Sequence, residues 1–65
     1  MFFKDKLATT RKELNLTQKD LAEKLNVSNK TISKWENGGS YPDLPILTKL
    51  AKVLEINLNE LLVEN

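Results

Sequence analysis

The chain has neither cysteine nor histidine among its 65 residues. Without cysteine there is no disulfide, no thiolate metal site and no cysteine nucleophile. Without histidine, the commonest general base and the commonest metal ligand are also missing. Long apolar runs are absent too: the longest are two or three residues, too short to span a membrane. The opening MFFKDK lacks the apolar core of a signal peptide. No nucleophile–base pairing is visible, and the carboxylates fall at caps and solvent positions. These absences argue against an enzyme, a metal protein or a cofactor carrier, and no small-molecule ligand is implied. A soluble, cytoplasmic protein is expected.

Sixty-five residues suffice for one domain, spanning 1–65, with a modest core and marginal stability. Net charge is +1, which alone says little about partners. Its distribution says more. Residues 1–52 carry ten basic and six acidic groups, +4; residues 53–65 carry Glu55, Glu60 and Glu64 and no base, −3. A basic body with an acidic end suits a protein that shows one face to a polyanion.

What is present is helical periodicity, punctuated by caps. Phe3, Leu7 and Leu14 share one face of a first helix, with Ala8 beside them and Arg11 as a cation on the stripe. Thr17 is an N-cap with Asp20 three residues on, and Leu21, Ala22 and Leu25 form the apolar face of a second helix. Asn26 follows, a residue that tolerates the left-handed turn ending a helix. Ser28 caps a third helix over about 29–37, and Gly38 ends it. Asp43 caps a fourth, with Pro45 in its first turn and Leu47, Leu50, Ala51 and Leu54 as its buried stripe; Leu44 is expected on the same side. Asn57 with Glu60 opens a short fifth helix. Hydrophobic pairs straddle three caps: Leu16 and Leu21, Val27 and Ile32, Ile56 and Leu61. The fold expected is an all-α, compact bundle of five short helices.

The organising stretch is residues 17–38, TQKDLAEKLNVSNKTISKWENG. A three-residue joint between its two helices forces them to cross steeply, leaving the second projecting. On that helix Ile32 and Trp35 point one way, while Asn29, Lys30, Ser33 and Lys34 fall within the opposite arc. An isolated helix with such an arc would read as an ordinary solvated face. Held out by a sharp joint, it offers an amide, two ammonium groups and a hydroxyl to base edges and phosphates in a major groove.

At these residues the pattern TQxxLAxxLxVSxxTISxWExG resembles the helix-turn-helix of the Cro/cI-type (XRE) DNA-binding domains of phage repressors and bacterial regulators. The resemblance extends through PDLPILTKLAKVLEINLNELL and covers nearly the whole chain. It implies a lambda-repressor-like fold and a transcriptional regulator, expected to be a repressor, that binds double-stranded operator DNA. With the third helix in a major groove, Asn29 and Lys30 lie at its leading end and Ser33 and Lys34 one turn on, as the candidate base contacts. Gln18, Ser28, Asn37 and the N–H of Gly38 are the phosphate candidates, with Gln18 also bracing base recognition. Arg11 is either a snorkelling cation at the edge of its stripe or, as the resemblance also implies, the partner of Glu36 in a partly buried ion pair. Specific sites for such a domain usually need a homodimer on a two-fold operator; Phe2, Ile46, Val53, Leu58, Leu62 and Val63 are the candidate apolar surface. The alternative is a protein-interaction module on the same fold. It would bind with little salt dependence, whereas phosphate contacts weaken steeply with salt. The chain departs from the family at Asn15, Asn26 and Glu55, where relatives usually place glycine. Asn suits a left-handed turn; Glu55 does not, so the fourth helix is expected to end differently or under strain.

Overall fold

A computed structural model describes residues 2–62; Val63 and Glu64, invoked above, lie outside the described residues. Five helices follow in order: α1 Phe3–Glu13, α2 Gln18–Leu25, α3 Asn29–Glu36, α4 Leu44–Val53 and α5 Leu58–Leu61. Each expected cap is formed. The Thr17 hydroxyl accepts from the Asp20 N–H at 3.0 Å, and the Asp20 carboxylate accepts from the Thr17 N–H at 2.9 Å. Ser28 accepts from Thr31 N–H at 3.1 Å, Asp43 from Ile46 N–H at 3.1 Å and Asn57 from Glu60 N–H at 3.2 Å. These bonds satisfy donors that the first turn of a helix leaves open.

The exits of α1 to α4 share one construction. A left-handed residue is followed by one whose N–H reaches a carbonyl five residues back, tying off the last turn. The left-handed residues are Asn15, Asn26, Gly38 and Glu55, with φ of 59°, 58°, 84° and 60°. The closing bonds run from Leu16 to Arg11, Val27 to Ala22, Gly39 to Lys34 and Ile56 to Ala51, at 3.1, 3.0, 2.8 and 3.1 Å. Three of these exits lead straight into the next N-cap. Leu16, Val27 and Ile56 therefore serve twice, each closing one helix and preceding the cap of the next. All three pack against the core or sit half-buried.

Glu55 thus ends α4 in the same way as its asparagine counterparts, with a side chain ill-suited to that conformation. A left-handed L-residue costs roughly 1–2 kcal/mol. Glu55→Gly should therefore stabilise the protein by about 1 kcal/mol, a rise of roughly 4–8 °C in unfolding midpoint for a domain of this size. An unchanged or lowered midpoint in thermal denaturation would show that the strain is relieved elsewhere.

The core gathers Leu7 from α1, Leu21 and Leu25 from α2, Ile32 and Trp35 from α3, Leu47 and Leu50 from α4, and Leu61 from α5. Leu54, in the turn after α4, completes it. One expectation fails here. Leu44 does not join the α4 stripe but is 61% exposed. It is the first residue after the Asp43 cap, where the helix overhangs the core; Pro42, just before the cap, is buried instead. Ile46, Val53 and Leu58 pack half-buried against the core, whereas Phe2 and Leu62 remain exposed. No helix among the described residues is long and apolar enough to cross a membrane.

Candidate nucleic-acid interface

α3 is aimed by its entry. Left-handed Asn26 reverses the chain, the Val27 N–H ties it to Ala22, and Ser28 caps the new helix two residues later. Ile32, fully buried, and Trp35 then lock the inner face into the cluster that holds Leu21 and Leu25. The outer face follows from helical geometry. Asn29, Lys30 and Lys34 are exposed and Ser33 is half-buried. Within the described residues no hydrogen bond or ion pair engages the side chains of Asn29, Lys30 or Lys34. The arrangement presents positive charge and free donors without a competing carboxylate, since the one acid on α3, Glu36, turns inward.

Glu36 meets Arg11 of α1 in a two-pronged ion pair. Nε of Arg11 donates to Oε2 at 2.6 Å and Nη2 to Oε1 at 3.0 Å, with the side chains 9% and 8% exposed. The third prong, Nη1, donates to the Leu16 carbonyl at 2.7 Å. Oε1 of Glu36 also accepts from the amide of Gln18 at 3.0 Å. A single carboxylate therefore joins α1, the first residue of α2 and the last turn of α3. Burial pushes the Glu36 carboxyl up, but the bonds from Arg11 and Gln18 and the charges of Arg11 and Lys12 outweigh it and hold it below the usual glutamate range.

The four phosphate candidates are differently placed. Gln18 must face its NH2 to Glu36, since a carboxylate only accepts; one amide hydrogen is left for an anion at the start of α2. The Ser28 hydroxyl is 2.9 Å from that of Thr31, so Thr31 can donate to Ser28 while Ser28 donates outward. Oδ1 of Asn37 accepts from the Gly39 N–H at 2.9 Å, which fixes the carboxamide and leaves its NH2 as a donor. The Gly38 N–H points at the Trp35 carbonyl across a long 3.4 Å, so an anion there must replace a weak internal bond. The Gln18–Glu36 bond and the Thr31 relay were invisible to spacing rules. The first joins residues eighteen apart, and the second depends on the exact pose of the cap.

Two short helices crossing at a tight joint, the second holding out an unpaired polar and cationic face, constitute a helix-turn-helix DNA-reading unit. Comparison with known proteins agrees. The family model described as helix-turn-helix matches residues 7–61. The chain belongs to that family of DNA-binding transcriptional regulators, in its Cro/cI-type (XRE) branch. It is 45% identical over 95% of its length to the transcriptional activator BcrR of Enterococcus faecalis, and 38% identical over 94% to the phage repressor RstR of Vibrio cholerae. It spans 30% and 54% of those two proteins. An uncharacterised regulator of Methanocaldococcus jannaschii, 40% identical, is matched over 92% of this chain and 91% of its own length. In three dimensions the fold is similar to the solution structure of the DNA-binding domain of the P22 C2 repressor. The TM-score is 0.91 at 31% identity, over 95% of this chain and 82% of that one.

Proposed function

We propose that this chain regulates transcription as a repressor, by lowering the N-terminal end of α3 into the major groove of an operator. One observation carries the proposal: the exposed, unpaired face of α3, cationic and amide-bearing, held clear of the globule by the Asn26 joint. Asn29 and Lys30 lie at the end that enters deepest, with Ser33 and Lys34 one turn on. The Asn29 amide fits N6 and N7 of adenine, the lysines fit O6 and N7 of guanine, and the Ser33 hydroxyl fits either. The remaining amide hydrogen of Gln18, the Ser28 hydroxyl, the NH2 of Asn37 and the Gly38 N–H bond phosphates on the flanking strands and set the register.

Selecting bound sequences from random duplexes gives the operator and the test. If Lys34 reads a base edge, Lys34→Ala relaxes preference at one position by about 1–3 kcal/mol. If it holds a phosphate, all sequences weaken alike. Unchanged binding to every variant removes Lys34 from the site.

One such unit offers few contacts, so the protein works as a homodimer on a two-fold operator with half-sites about 34 Å apart. Leu62, exposed, and Leu58, half-buried one turn before it, supply apolar surface for that pairing. Sedimentation across a concentration series, with and without palindromic DNA, checks it; a strict monomer on such DNA rules it out. Repression needs only occupancy of the site, and both the RstR protein and the P22 C2 domain are named as repressors. BcrR is named as an activator, so a reporter bearing the selected operator decides the sign. A DNA target fits a cytoplasmic protein, bacterial or phage-encoded.

A further inference from the structure

Beside the exit of α3 lies a notch of about 370 Å³, of whose lining only Gly38 has a part in the proposed DNA contact. Its walls are Phe2 and Phe3 of the N-terminus, Trp35, and Tyr41 of the α3–α4 loop, with Lys4 and Gly38 at the edge. The rings of Phe3 and Tyr41 meet at 4.7 Å and 60°, which joins the start of α1 to that loop. Phe2 and Tyr41 are nonetheless half exposed, at 50% and 53%. The described lining carries one cation and no carboxylate.

Gly38 shapes the entrance. A Cβ there would lie 3.6 Å from Cδ of Lys4, so the lysine stem runs across the bare backbone of this residue. The ammonium is two bonds beyond that contact, and in the same turn the Asn37 NH2 is left as a free donor. The notch thus abuts the end of α3, and the one charge in its described lining is positive.

We propose that this notch seats the sugar–phosphate backbone of the operator strand beyond the one Asn37 touches. Lys4 neutralises a phosphate, and the Phe2 and Tyr41 rings cover the deoxyribose. The contact carries no base information. It widens the electrostatic footprint from α3 to the first turn of α1, and it rests on α3 facing a duplex.

The test is the salt dependence of binding to a selected duplex. Each neutralised phosphate contributes about 0.9 to the slope of log affinity against log salt. Lys4→Gln should flatten the slope by that amount, so its deficit relative to wild type shrinks about 3.5-fold between 50 and 200 mM salt. Every sequence should lose affinity alike, whereas Lys34→Ala, where it reads a base, discriminates. Single phosphates replaced by neutral methylphosphonates should weaken wild type at one flanking position where Lys4→Gln is indifferent. Lys4→Arg should keep both the slope and that position. The proposal falls if Lys4→Gln keeps the wild-type slope and methylphosphonate pattern, or changes the slope no more than Lys49→Gln on α4. It also falls if arginine behaves as glutamine does. A second copy seated in the notch would show as a DNA-free dimer lost in Tyr41→Ser, with the slope unmoved, and would equally overturn it. Wild type that binds no duplex at any salt would instead sink the DNA reading itself.

Discussion

Arg11→Ala should lose about 3 kcal/mol of stability, a fall of roughly 12–24 °C in unfolding midpoint. The guanidinium is the main partner of a buried carboxylate and the cap of the Leu16 carbonyl, so removing it strands both. A protein of this size holds only about 3–10 kcal/mol in total, so the loss is between about a third and all of its stability. Replacing both partners, Arg11→Met with Glu36→Leu, should cost less than either single change, because no lone charge stays buried. The same pair sets an acid limit. The folded pKa of Glu36 is depressed, so its contribution is complete above the ordinary glutamate value of 4.5 and is lost as pH falls through the folded value. Glu36→Gln should be less stable at neutral pH and flatter in this acid range. Chemical denaturation of the four proteins between pH 3 and 7 measures both effects. An Arg11→Ala loss under 1 kcal/mol would mean the pair is solvated and its burial overstated.

Changing Asn29, Lys30, Ser33 and Lys34 together to alanine should do the opposite: keep the fold and abolish specificity. Alanine is the best helix former, and three of the four side chains are exposed, so the midpoint should hold or rise. Binding to the selected operator should fall to the level of random duplex, on the order of 10³-fold or more. What survives should be the phosphate contacts of Gln18, Ser28 and Asn37. Gel-shift titrations against operator and scrambled duplex give both numbers. Retention of operator preference within about threefold would show that bases are read by another element.

The two outcomes separate what sequence reasoning could reach. Caps and helix faces follow from neighbours three or four residues apart, which is why Thr17, Ser28, Asp43 and Asn57 are legible in the sequence. Asn15 and Asn26 were readable as left-handed for the same local reason. Glu55 is marked only by the resemblance, as a glycine position expected to end α4 under strain; glutamate itself carries no local preference for that conformation, which accompanies the bond from Ile56 to Ala51. Leu44 was misplaced because periodicity assigns an angle but not a depth along the axis, and the first turn of α4 overhangs its neighbours. The outward arc of α3 could be read from the sequence. That the Gln18 amide is half spent on Glu36, and that Lys4 lies over Gly38, depend on tertiary closure, which no spacing encodes.

The doubled duty of Val27, closing one helix and leading into the next, has an evolutionary consequence. The angle at which α3 leaves the body is written in Asn26, Val27, Ser28 and the inward Ile32 and Trp35, and in none of the groups that would meet DNA. Address and mounting are separate inheritances. On the proposed reading, a lineage would retarget itself by exchanging four outward letters while the hinge and its anchors pass unchanged from parent to offspring.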